Sequence, residues 1–310
     1  MRLMEKVIWI DGETRAPTAH DVITSAAFSY GLVAFEGIVS AAARERSGGR
    51  HIFRLREHLE RLRGSTMTLG WEPPYSVEQL AAAAVKLVRA MGRGSHYLRP
   101  VVFSRKQFTD LNLGGWWTGT SVAMFGVRFD LGRLVRHMQR EIKACVATSV
   151  RAAWPAALAG AKISGKYLSL VWAREEARRL GCDEAIILDD TDHVAEASTA
   201  NLFAVKDGVL ATPSVTQALP GITRATVIEL AGGLGVRVEE RAIHRDELWE
   251  ADEIFLTNTA HGVVGLRELD GGWRSRGRKL TDEVRRVYLE VLEGRDARHA
   301  DWLTRVDADA

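Results

Sequence analysis

The sequence predicts a mixed α/β (α+β) fold in two domains, and three observations carry that expectation. The chain has 310 residues, more than one small core organises. Apolar residues recur at helical spacing in several segments, as Leu55, Leu59 and Leu62 do. Between positions 185 and 212, short strand-like runs follow one another closely, with Asp207-Gly208 as a hairpin turn. The expected division is a small N-terminal α/β domain over 1–125, a linker over 126–137 and a larger domain over 138–310.

In chain order, Val7-Ile8-Trp9-Ile10 followed by Asp11-Gly12 reads as a strand entering a tight hairpin. A helix is expected from Leu55 to Leu69, with leucines on one side and Arg and Glu on the other. Ser76 with Gln79 three residues later makes a capping box for an alanine-rich helix ending near Gly92. Tyr97–Phe103 and Val122–Phe125 read as strands, and the Gly-, Asn- and Trp-rich loop Asn112–Trp117 between them suits a lid. Beyond the linker come a strand over Ile142–Val150 and a helix from near Ser164 to Leu180, stopped by Gly181. Strands Ala185–Leu188, Val194–Glu196, Asn201–Val205 and Val209–Thr212 follow, then a helix over Thr223–Leu234. Strands Val236–Arg241 and Glu253–Thr257 and a helix over Leu280–Leu292 complete the chain.

Composition narrows the function. A net charge of +2 with scattered basic residues argues against nucleic acid or an anionic membrane as partner. Two cysteines, Cys145 and Cys182, without CxxC spacing suit a reducing cytoplasm, and the early charges Arg2, Glu5 and Lys6 do not suit a signal peptide. No metal is expected. Only eight lysines are present, so few residues could form a Schiff base.

Three segments carry the chemistry. Lys162 follows an alanine-rich run at the mouth of a helix, where a desolvated amine has a lowered pKa and becomes a nucleophile. Lys166 lies one turn on, and two solvated lysines at a helix start fit the segment equally well. Glu196, alternating with Val194 and Ser198, needs a cationic partner if it faces inward; a protonated pyridine nitrogen and an arginine both qualify. Leu219-Pro220-Gly221-Ile222-Thr223-Arg224 places a turn before a helix, so free N–H groups and the Thr223 hydroxyl form an anion site. Thr257-Asn258-Thr259-Ala260 offers a second set of donors.

The run from Glu196 through Asn201-Leu202-Phe203, Leu210, Thr212, Leu219, Gly221-Ile222 and Arg224 resembles the signature of the class IV, fold type IV aminotransferases. Tyr30-Gly31, Phe35-Glu36-Gly37-Ile38, Phe53 through Arg61 and Tyr97-Leu98-Arg99-Pro100 are similar to the branched-chain aminotransferases. The resemblance implies a pyridoxal 5'-phosphate enzyme with a pseudo-barrel β core in its larger domain. It implies transamination between a branched-chain L-amino acid and 2-oxoglutarate through a Lys162 Schiff base, with Lys162 then moving the proton between substrate Cα and cofactor C4′. Lys162, at the family's spacing from Tyr167 and Glu196, is then preferred over Lys166.

Further roles follow from the resemblance. Tyr167 is expected at the phenolic oxygen, Glu196 at the pyridine nitrogen, and Arg61, Ile222, Thr223 and Thr259 at the phosphate. Backbone groups of Thr259 and Ala260 are expected at the substrate carboxylate. Phe35, Tyr30, Tyr97 and Arg99 would line the side-chain pocket, with Tyr30 from the second subunit of a homodimer or higher homo-oligomer. Arg99 would receive the side-chain carboxylate of glutamate. The chain departs from the branched-chain pattern at Asn258, at His261-Gly262, at Val127-Arg128 and in the loop Arg105–Leu111. Arg128 is a candidate pocket residue or a surface charge. The departures leave a D-amino acid or amine transaminase, an aminodeoxychorismate-lyase-type enzyme or a specialised biosynthetic enzyme as alternatives. A binding protein that keeps the fold without turnover is the other class considered.

Overall fold

The structure, a computed structural model, describes residues 7–15, 26–42, 49–104, 119–216 and 218–306. The expected lid Asn112–Trp117 and the polar loop Arg105–Leu111 lie outside the described residues. The chain forms two compact units. One comprises Met1–Leu131, Ala161–Lys166 and Val291–Ala310, and the other Gly132–Gly160 and Tyr167–Glu290.

The first unit holds strands β1 (Val7–Ile10), β2 (Glu13–Arg15), β3 (Val33–Phe35), β4 (Ile38–Ala42), β5 (Arg50–Phe53), β6 (Ser95–Ser104) and β7 (Thr120–Phe129). Its helices are α1 (Ala26–Tyr30), α2 (Leu55–Thr68) and α3 (Val77–Ala90). The sheet runs Leu303–Val306, β5, β4, β6, β7, β1, β2, with β3 also on β6. Asp11 and Gly12 both take positive φ (46° and 99°) in the β1–β2 hairpin, as a mirror-image turn requires. Leu55, Leu59 and Leu62 of α2 are buried. The capping box of α3 forms as expected, Gln79 N donating to Ser76 Oγ (3.2 Å) and Ser76 N to Gln79 Oε1 (2.8 Å).

The second unit holds α4 (Leu131–Gln139), α5 (Ala156–Ala159), α6 (Tyr167–Arg179), α7 (Ile222–Gly233), α8 (Glu247–Glu250) and α9 (Lys279–Leu292) over most of their lengths. Its strands are β8 (Ile142–Arg151), β9 (Glu184–Leu188), β10 (Val194–Ala197), β11 (Asn201–Lys206), β12 (Val209–Thr212), β13 (Val238–Glu240), β14 (Glu253–Asn258), β15 (Gly262–Leu269) and β16 (Trp273–Arg274). They form one sheet, β10-β9-β8-β15-β14-β11-β12-β13, with β16 on β15. Leu170, Ala173 and Ala177 of α6 pack on Cys145 and Ala147 of β8 and Ala185 and Ile187 of β9, small residues letting helix and sheet approach closely. Phe203 and Phe255 stack at 4.9 Å deep in the same unit.

The segment 126–137, expected as a linker, is regular structure: residues 126–129 finish β7 and α4 begins at Leu131. β7 continues because each residue to Phe129 keeps its partner on β6. The division is also discontinuous, since Ala161–Lys166 groups with the first unit.

Candidate active site

One face of the first unit's sheet gathers the candidates. Phe35 lies opposite Val101, Arg99 opposite Phe125 and Tyr97 opposite Val127. Directly opposed antiparallel residues share a face and the face alternates along a strand, so Phe35, Tyr97, Arg99 and Val127 lie on one side. Arg128, a candidate pocket residue or a surface charge from the sequence, does not join them. Its partner is His96, which puts it on the opposite side, exposed. A side chain at Gly37 would run into the Tyr97 hydroxyl, so glycine there is what lets the phenol lie over the strand.

Lys162 reaches this face through backbone contacts. Ile163 bridges Ala34, Phe35 N donates to Lys162 O (3.1 Å), and Lys162 N donates to Ser65 Oγ (2.9 Å). Gly31, at φ 64°, sits against the Gly165 backbone, where a Cβ would stand 3.1 Å from Gly165 N and Cα. Lys162 is thus held in an extended piece beside β3 rather than on a helix; Ser164–Lys166 makes a single 3₁₀ turn. Its Nζ stands 4.9 Å from the Phe35 ring centroid, and the Arg99 guanidinium carbon 4.1 Å from the same centroid, both within cation–π range. Lys166 is buried, whereas Lys162 is half-buried. Tyr30 ends α1, exposed.

Glu36, next to Phe35, is fully buried and organises Arg61. Its carboxylate accepts from Arg61 Nε (2.6 Å) and Nη2 (2.8 Å) and from Gly37 N (3.2 Å), and pairs with His58 Nδ1 (2.8 Å). Burial alone would raise its pKa. The Arg61 charge and the bonds from His58 and Arg61 outweigh that and hold the carboxyl far below the usual carboxylate range. Burial lowers the pKa of His58, with Glu36 pulling the other way. Neither Glu36 nor His58 stood out as functional in the sequence. The available signal was an acidic residue beside Phe35 and a histidine three positions before Arg61.

The second unit carries the remaining candidates. Glu196 is buried on β10, and its Oε2 accepts from Leu219 N (3.3 Å). Val194 pairs with Leu188 but Glu196 with Ile187, a register shift that breaks the simple alternation expected along this strand. Tyr167 opens α6, half-buried against the helix–sheet core.

Gly221 is the N-cap of α7 and gives it no side-chain cap, leaving the first-turn N–H groups of Ile222 and Thr223 facing outward. A side chain at Gly221 would strike Asn201 Oδ1, whose amide donates to Leu219 O (2.8 Å). Thr223 is buried and hydrogen-bonds Tyr288, whose own pKa burial raises strongly. Arg224, at the signature's end, is structural: its Nη2 donates to Pro213 O (2.8 Å) and Glu240 Oε2 (2.7 Å).

β14 and β15 form a hairpin whose last pair is Asn258 and Gly262, so Thr259, Ala260 and His261 make its tip. Thr257, 1% exposed and opposite Asn201, has a hydroxyl with no hydrogen-bond partner among the described residues. In the sequence Thr257 stands out only as the first residue of a donor run. Among the described residues no group of His, Cys, Asp and Glu could hold a metal ion, and no helix is long and apolar enough to cross a membrane.

Residues 35–269 match the family described as amino-transferase class IV. A branched-chain-amino-acid aminotransferase of Pseudomonas aeruginosa is 35% identical over 97% of both chains. Among solved structures, the branched-chain aminotransferase of Thermoproteus uzoniensis with norvaline is 35% identical, with a TM-score of 0.88 over 97% of this chain and 99% of that one. A branched-chain aminotransferase of Escherichia coli is 33% identical, with a TM-score of 0.86 over 97% of this chain and 99% of that one.

Proposed function

We propose that this chain, which belongs to the class IV aminotransferases, moves the amino group of a branched-chain L-amino acid to 2-oxoglutarate with pyridoxal 5'-phosphate as cofactor. The observation that carries the reading is the setting of Lys162, fixed at its backbone by Phe35 and Ser65 with its amine against the Phe35 ring, which the Arg99 guanidinium also contacts. Relatives named for branched-chain substrates, along nearly the whole chain, support the substrate class.

The cofactor's phosphate fits the start of α7. That helix begins without a side-chain cap, and the buried Thr257 hydroxyl, across the ladder from Asn201 and hence near Leu219 and Gly221, lacks a partner among the described residues. An anion supplies what both lack. The N–H groups of Ile222 and Thr223, the Thr223 and Thr259 hydroxyls and Arg61 would hold it. Glu196 would keep the ring nitrogen protonated and Tyr167 would hydrogen-bond the phenolic oxygen. When bound, pyridoxal phosphate supplies an electron sink for charge developing at the substrate Cα. Lys162 anchors the cofactor and carries the proton to and from that carbon. Thr259 and Ala260 N–H groups would orient the substrate carboxylate. Phe35, Tyr97 and Tyr30 would give an apolar wall, while the planar fork of Arg99 would take the second carboxylate of glutamate.

We also place the enzyme in the cytoplasm, as the two free cysteines suit, and assign it a homo-oligomeric state. Leu168, Val171 and Trp172 form an exposed apolar stripe on α6 (78%, 59% and 56% exposed) that a second copy would cover. The test of the reaction is a half-reaction screen. The visible band of the bound cofactor should bleach with L-Leu, L-Val and L-Glu and persist with D-Ala or a small amine. Borohydride should fix the cofactor on Lys162, and Lys162→Ala should abolish both responses. A screen in which no branched-chain L-amino acid reacts overturns the substrate assignment, and borohydride labelling elsewhere overturns the role of Lys162.

A further inference from the structure

The β14–β15 hairpin tip is anchored by residues that the proposed chemistry does not use. Asn258 Oδ1 accepts from His261 N (2.7 Å), closing a local turn around Thr259 and Ala260. The other end of the same amide donates to Thr199 O (3.1 Å). Thr199 lies in the turn after β10, so this bond ties the tip to the segment that carries Glu196. The outer side is fixed by α4. The His261 ring lies 4.5 Å from that of His137, and Met138 occupies the space a side chain at Gly262 would need. Gly262 takes φ 66°, so glycine is required there for both conformation and room.

We infer that Asn258 and His261 are positioning residues that aim the Thr259 and Ala260 N–H groups at the substrate carboxylate. This rests on the function proposed above. Two adjacent N–H groups converge on one carboxylate only when their peptide planes are fixed, and a three-residue tip has few other internal bonds to fix them. Asn258 constrains the tip at both ends of its amide, and the tilted His137–His261 ring contact resists rotation of the third tip residue. The tip therefore arrives oriented, and less freedom is lost when the carboxylate binds.

The test uses the holoenzyme and the variants Asn258→Ala, Asn258→Asp and His261→Ala. Asn258→Ala removes three hydrogen bonds, to Thr199 O, to His261 N and between Asn258 Nδ2 and His261 Nδ1 (3.4 Å), and should raise the KM for L-Leu and the Kd for 4-methylvalerate, a carboxylate without an amine, about tenfold. Asn258→Asp keeps the acceptor for His261 N and should recover part of that loss. The visible band of the cofactor should be retained, kcat should change less than KM, and amide exchange in the peptide 258–262 should quicken. A merely structural role would lower Tm and leave KM and Kd unchanged, and that result overturns the inference. His261→Ala provides the same readouts if Asn258→Ala does not fold. If the wild-type protein binds neither L-Leu nor 4-methylvalerate, the proposed function itself falls. If the wild type binds both and the variants match it, only this inference falls.

Discussion

Glu36→Gln is the most demanding test of how the first unit is built. The substitution keeps volume and shape but removes the charge that four donors share, at 2.6, 2.8, 2.8 and 3.2 Å. Glu36 is fully buried and the Arg61 side chain is 11% exposed, so water cannot replace the lost partner. The amide also turns one acceptor into a donor facing other N–H groups. Breaking one side of a buried pair costs about 3–5 kcal/mol, most of it the penalty for the charge left behind. At roughly 2–4 °C per kcal/mol for a large domain, the transition of this unit should fall by at least about 6 °C.

The assay is urea and thermal unfolding of the cofactor-free protein, with Glu36→Gln compared with the double change Glu36→Gln, Arg61→Met. Removing both charges should cost less than removing one. The sign with pH is also fixed. A folded pKa depressed below the unfolded value, about 4.3, gives stability that is present above that value and lost as pH falls through the folded pKa. The wild-type advantage over Glu36→Gln should therefore hold from neutral pH to about 4.3 and shrink only below it. A cost under about 1 kcal/mol, the range of exposed ion pairs, would refute the reasoning.

Ser76→Ala removes the capping box of α3 and should cost about 1 kcal/mol in urea unfolding, with Gln79→Ala nearly silent in its background. Gly221→Ala places a methyl against Asn201 Oδ1; cofactor affinity, measured by fluorescence titration of the apoprotein, should fall at least tenfold with the borohydride site unchanged. His96 is fully buried, and burial together with the Arg50 and Arg128 charges lowers its pKa from 6.5 to about 4. Because the unfolded chain takes up the proton first, this group should erode stability as pH falls from 6.5 to about 4 and add nothing further below. The urea midpoint of His96→Gln should be flatter over that window.

Local signals were legible in the sequence. The hairpin at Asp11-Gly12, the leucine face of α2 and the capping box of α3 depend on residues within a few positions of one another, and all three stand in the structure. The candidate residues were recognised by motif, but their settings depend on contacts remote in sequence. Lys162 reads locally as a helix start, yet Phe35 N and Ser65 Oγ, 127 and 97 positions away, hold it extended. The boundary between the two units, Leu131 to Gly132, falls inside the segment 126–137 expected as a linker, yet pairing with β6 keeps residues 126–129 in a strand.

The case of Arg128 shows why candidate substrate residues depend on strand register more than candidate cofactor residues do. A lysine, a strand carboxylate and a helix start keep their chemistry wherever the surrounding side chains point. A pocket residue counts only if it is on the correct face, and one step of register changes that face. Opposite Tyr97 stands Val127, while Arg128 turns to the His96 side. Specificity on this face should therefore follow the size of residue 127. Val127→Trp, which narrows the space beside Tyr97, should alter the ratio of kcat/KM between L-Leu and L-Val, whereas Arg128→Ala should leave that ratio unchanged. A ratio moved by Arg128→Ala and not by Val127→Trp would show that the β6–β7 register does not decide which side chain meets the substrate.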